Sequence, residues 1–105
     1  MLYIKNSSVK LVPQAVILVI VAAVYDKQGF NCIITSGNDG KHSDKSLHYQ
    51  DKALDFRVHN VPMRKRPELL TALRAALGPD YDVLLEANGT PNAHVHVEFD
   101  PKPKP

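Results

Sequence analysis

Five histidines sit in this 105-residue chain, and two groupings that include them could do chemistry. The first is His48 with Asp55, within Ser46-Leu47-His48-Tyr49-Gln50-Asp51-Lys52-Ala53-Leu54-Asp55. The second is His94-Val95-His96, the start of an alternating run that continues through Glu98. His48 and Asp55 are too far apart to be neighbours on one helix face, where ligand pairs lie three or four residues apart. They converge if His48 ends a loop and Asp55 lies on the strand after it. In a strand, residues two apart share a face, so His94, His96 and Glu98 line one side while Val95, Val97 and Phe99 line the other. A polar, solvent-facing strand side would look the same. Two histidines and one carboxylate also suit zinc, and three protein ligands leave a fourth tetrahedral position for water, as in catalytic sites.

The elements that must hold these groups are legible from periodicity. Pro13 is placed as the first residue of a helix running to about Lys27 and stopping at Gly29. This segment is apolar on nearly all faces and is expected to pack under a sheet. Phe30–Thr35 reads as a buried strand, and the polar Ser36–Ser46, with Gly37 and Gly40, as a surface loop. In Ala53–Val58, Leu54, Phe56 and Val58 point one way, and Ala53, Asp55 and Arg57 the other. Pro67–Leu77 is an amphipathic helix with Leu69, Leu70, Leu73, Ala76 and Leu77 as its apolar stripe, ended by Gly78-Pro79. Strands Tyr81–Glu86 and His94–Phe99 flank the turn-rich Ala87–Ala93 and form a hairpin. Residues 1–12 read as an irregular or extended lead-in, and Pro101-Lys102-Pro103-Lys104-Pro105 as an extended or disordered tail. The expected fold is α+β: one domain over residues 1–100, with two helices on one face of a small antiparallel or mixed sheet.

Composition narrows the function classes. With 44% hydrophobic and 23% charged residues the chain is ordinary globular material, and its +2 net charge forms no basic stripe with interleaved aromatics, so nucleic acid is not an expected partner. The longest apolar run, Ala15–Tyr25, is 11 residues, short of the ~20 that span a bilayer. It lies too far from the start, and lacks the small-residue cleavage site, for a secretory signal, so synthesis in the cytoplasm is expected. A monomer is expected. The lone Cys32 cannot form an internal disulfide and reads as a buried thiol.

The segment Thr35-Ser36-Gly37, then Asp39-Gly40-Lys41-His42-Ser43-Asp44-Lys45-Ser46-Leu47-His48-Tyr49 and Ala53-Leu54-Asp55, resembles the zinc segment shared by D-alanyl-D-alanine metallopeptidases and the hedgehog signalling domain. The shared pattern is Ser-x-His, six residues, then Asp, with Ala two before the Asp. Ala93-His94-Val95-His96-Val97 resembles the second motif of the same superfamily. The likeness covers roughly residues 30–101. It implies His48, Asp55 and His96 as zinc ligands, His94 beside the attacking water or the developing oxyanion, and His42 either at the rim or simply on the loop surface. It also implies a glutamate base on the preceding strand of the hairpin. A hairpin centred on Thr90 puts Glu86 opposite His94, which makes Glu86 the candidate and Glu98, on the histidine face, the runner-up.

The resemblance implies hydrolysis of peptidoglycan peptides, as a D-Ala-D-Ala carboxypeptidase or an L-Ala-D-Glu endopeptidase. Its hedgehog branch implies instead a zinc-stabilised binding module without catalysis. A small chain of this kind would suit a phage lysis component. Two places depart from the peptidase pattern. Asp51 stands where family members usually have Gly, and Asn38-Asp39 replace an aromatic–Arg pair whose Arg holds the substrate's terminal carboxylate. Lys41 or Arg57 could substitute for that cation, and each reads equally as a solvated surface charge. The hedgehog-type calcium site is incomplete, since Asp39 matches one acidic position while Gly37 and Asn38 do not match its neighbours. His59 reads as a turn or surface residue.

Overall fold

A computed structural model describes residues 12–36 and 52–101. Residues 1–11, residues 37–51 (with Asn38, Asp39, Lys41, His42, His48 and Asp51) and residues 102–105 lie outside that range, so the expectations that fall on them are outside the described residues. Helix α1 spans Pro13–Gln28 with proline in its first turn, as its sequence predicts. Gly29 ends it at φ 88°, a left-handed conformation that glycine adopts without a Cβ penalty, and Phe30 N–H closes the cap on the Tyr25 carbonyl at 2.9 Å. After β1 (Ile34–Ser36) and β2 (Ala53–Arg57), a short 3-10 turn over Met63–Lys65 leads into α2 (Arg66–Leu77). Strands β3 (Tyr81–Glu86) and β4 (His94–Phe99) complete the chain.

The four strands form one antiparallel sheet in the order β1-β2-β4-β3. Both helices cover the same face. Ile17, Val21 and Tyr25 of α1 and Leu69, Leu73 and Leu77 of α2 meet Leu54, Phe56, Val58, Val83, Val95 and Val97 in a single core. The predicted alternation in β2 and β4 therefore holds, with one side of each strand in the core and the other left for the polar groups.

Four expectations are corrected. The stretch expected as a buried strand over Phe30–Thr35 is a three-residue edge strand, with Ile34 44% exposed. Only one neighbour pairs with it and a register shift interrupts that pairing, so few of its side chains reach the core. Cys32 is half-buried, and burial pushes its thiol above the usual range. Helix α1 buries one stripe at a spacing of four and leaves Leu18 and Val19 exposed, because a helix lying on a sheet can turn only one side toward it. Ala76 of α2 is likewise outside the core.

Tyr25 ties the helix layer to the strand that carries Asp55. Its ring is fully buried against Phe56, at 6.3 Å between centroids, and its hydroxyl donates to the Arg57 carbonyl at 2.9 Å. Burial, with a smaller contribution from Cys32, pushes the phenol well above its ordinary value of 10.0. The folded state therefore keeps the proton where the unfolded chain releases it. The stabilisation is complete below pH ~10 and is lost as pH rises beyond it. Tyr25→Phe should cost about 1 kcal/mol at neutral pH by chemical denaturation, the net scale of one lost hydrogen bond. It should also flatten the fall in stability above pH ~10. Equal alkaline sensitivity in the variant would assign that fall to other groups.

Candidate metal centre

The geometry of the site follows from hydrogen-bond parity in the sheet. Phe99 N–H donates to the Lys52 carbonyl across the β2–β4 junction, while Arg57 N–H turns the other way, to Ile33. Alternation then makes Asp55–His96 and Arg57–His94 the narrow, non-hydrogen-bonded pairs, whose Cα atoms in such ladders lie about 4.5 Å apart. On the far side of β4, Asp100 N–H donates to the Asp80 carbonyl, so Glu86–His94 is a wide pair. This register is the one expected from a hairpin centred on Thr90. That loop is held by Thr90, whose amide and hydroxyl both donate to the Ala87 carbonyl. Ala87 turns the chain at φ 53°, a conformation rare for a residue with a side chain.

Four of the five site residues expected from sequence thus meet on the sheet face away from the helices. The fifth, His48, lies outside the described residues. Asp55 is 9% exposed, and its Oδ1 accepts from His96 Nδ1 at 2.8 Å. His96 Nε2 reaches Glu98 Oε1 at 3.0 Å, so the imidazole bridges two carboxylates. The hydrogen bond to Asp55 raises the His96 pKa above 6.5, against an opposing push from burial, and the charges of Asp55 and Glu98 add to the rise. His94 behaves differently. Its Nδ1–H donates to the Asn92 carbonyl at 2.8 Å, and a carbonyl can only accept, so that nitrogen carries the proton. Nε2 is left facing Glu86 Oε1 at 3.4 Å and Asp55 Oδ2 at 4.0 Å.

These groups fit a divalent cation by donor chemistry. One ligand atom each from Asp55, Glu86 and His94 lies within 4.8 Å of the others. Asp55 Oδ1 and His96 Nδ1 point at each other at 2.8 Å, and tetrahedral zinc ligands at ~2.0–2.1 Å from the ion sit ~3.3 Å apart, a small rotation away. The set is not specific for zinc: carboxylates and imidazoles also serve other divalent ions. A second grouping, Asp82, Glu98 and Asp100, continues the acidic strip along the same face.

Beside Asp55 and His94 opens a cavity of about 570 Å³, also lined by Thr35, Arg57, His59, Pro91, Asn92 and Ala93. Arg57, one of the two cations weighed from sequence, is at this cavity. His59 is exposed and in a turn, as expected, yet it also lines the cavity and contacts the Pro91 carbonyl through Nε2. Nothing in the local pattern links these residues, 32 positions apart, so the contact is not legible from sequence.

The fold and site define a small α+β domain carrying a histidine–carboxylate cluster on an open sheet face. No family model, curated protein or solved structure matches this chain.

In the metal-free protein, NMR titration should place the His96 pKa above 6.5, and Asp55→Asn should lower it. The sign follows from the pairing: the stabilisation by protonated His96 is full below pH ~6.5 and is lost as pH rises through the raised value. A His96 that titrates unchanged in Asp55→Asn would show that this pair does not govern the ring.

Proposed function

We propose that this protein is a zinc-dependent peptidase acting on peptidoglycan peptides. The observation that carries the proposal is the convergence, across three strands, of a buried Asp55–His96 pair with the half-exposed His94–Glu86 pair at the edge of an open cavity. In this reading His48, Asp55 and His96 hold the ion, and His94 and Glu86 face the substrate. The likeness of both sequence motifs to zinc peptidases selects zinc and the peptide substrate from the wider range the donor set allows. Zinc bound there would polarise the scissile carbonyl and make water a better nucleophile at neutral pH.

The remaining work falls to the chain's own groups. Glu86, 48% exposed at its side chain, is accessible to take a proton from water and return it to the leaving amine. His94 can donate from Nε2 only as the imidazolium, because Nδ1–H is committed to Asn92. A charged His94 beside Glu86 would oppose negative charge developing on the carbonyl oxygen. Glu98, the alternative base, is turned to His96 Nε2 and is only 19% exposed at its side chain, which favours Glu86.

Elemental analysis should find one zinc per chain, and a peptidoglycan zymogram should show a band that chelator removes. Asp55→Ala and His96→Ala should each lose the metal. Glu86→Gln should keep it and lose at least 100-fold in hydrolysis, the usual scale for removing a general base. Loss of metal in Glu86→Gln would make Glu86 a ligand. One zinc per chain with no cleavage of any wall peptide would favour the zinc-stabilised binding module, and no zinc at all would remove both readings.

A further inference from the structure

Arg66 opens α2 with its side chain turned inward, and the residue is 7% exposed. A buried cation ordinarily brings a carboxylate with it, since removing a charge from water costs several kcal/mol. Among the described residues none lies within ion-pair distance of Arg66. Its Nε–H donates to the Val61 carbonyl at 2.9 Å, and Nη1 donates to Met63 Sδ and to Asn88 Oδ1, both at 2.8 Å. All three acceptors are neutral. They fix the plane of the guanidinium and leave its charge uncompensated, and Nη2 has no acceptor among the described residues.

The same side chain lines a cavity of about 370 Å³ with His59, Met63, Gly89, Thr90 and Pro91. Two of these, His59 and Pro91, also line the larger cavity beside Asp55 and His94, so their mutual contact is a wall common to both. We propose that Arg66 is an anion subsite that takes a carboxylate of a peptide lying in the neighbouring cavity. The peptide's identity rests on the peptidase reading; capture of a carboxylate by Arg66 does not. The guanidinium is already oriented, so little side-chain entropy is lost on binding, and a charge-assisted N–H···O bond is among the stronger polar contacts available. A single cation bordered by Met63 and Pro91 suits a monoanion better than a phosphate dianion.

The carboxylate can be a chain terminus or an acidic side chain, and three probes separate these: N-acetylalanine, N-acetylglutamic acid α-amide and the neutral N-acetylalaninamide. Each is titrated into the full-length chain while the Arg66 Nε–H and Gly89 amide signals are followed by NMR. Runs with and without added zinc identify any carboxylate held by metal instead. The expected result is a saturable shift with N-acetylalanine, with the glutamate amide or with both, and none with the neutral amide, independent of zinc. Arg66→Gln retains an amide to bond Val61 and Asn88 but drops the charge, and should weaken the response at Gly89 at least tenfold. If that variant fails to fold, the titration of the native chain alone decides. Equal shifts with the neutral amide, no saturable shift with either carboxylate, or undiminished binding in a folded Arg66→Gln overturns the proposal. A carboxylate-specific shift in a protein that cleaves no peptide keeps the subsite and removes the peptidase reading.

Discussion

The described site depends on one placement: a carboxylate, Asp55, held almost out of water in the middle of a sheet and answered by an imidazole directly across the strand boundary. A buried carboxylate without a partner costs several kcal/mol, so the pairing is a condition of the sheet forming as it does. It is met because Leu54 and Phe56 on β2 and Val95 and Val97 on β4 all belong in the core. With side chains alternating, a slip of one residue would send Asp55 and His96 into the helices and the apolar groups into water. Core packing thereby sets the register, and the register sets the site.

Burial divides the cluster into two pairs with different capacities. Asp55 and His96 have side chains 12% and 16% exposed and are locked to one another, which suits holding an ion. His94 and Glu86 are 27% and 48% exposed, 3.4 Å apart, and border solvent, which suits proton exchange with a substrate. The difference follows from topology. β2 and β4 are neighbours in the interior of the sheet, whereas Glu86 ends the edge strand β3 at the mouth of the hairpin loop. A left-handed Ala87 and the hydrogen bonds of Thr90 turn the chain immediately after Glu86, so the loop fixes where the carboxylate stands.

Much of this was legible in the sequence because it rests on a period of two. The faces of Ala53–Arg57 and His94–Phe99 and the opposition of Glu86 to His94 all follow from alternation and loop length. What local pattern cannot encode is which element ends up at an edge. Phe30–Thr35 has the composition of a buried strand and becomes a short, half-exposed one, and Leu18 and Val19 belong to an apolar helix yet face outward. Arg66 was missed for a related reason: burial of an arginine is set by Val61, Met63 and Asn88, the last of them 22 residues away. One weak signal existed. A cation in the first turn of a helix opposes the helix dipole, so an arginine there calls for a separate reason.

The bridge that His96 makes between Asp55 and Glu98 bears on how a metal would enter. With the ring protonated, one positive charge lies between two carboxylates, and the hydrogen bond to Asp55 first, then the charges of Asp55 and Glu98, raise the pKa. A divalent ion binding at Asp55 and His96 would displace that proton and supply positive charge in its place. Metal binding would therefore be an exchange of one cation for another inside an acidic frame already assembled, with Glu98 left to orient the ring from its far nitrogen. A protonated His96 offsets the cost of gathering carboxylates on this face, and a proton held there would compete with any divalent ion as the medium turns acidic.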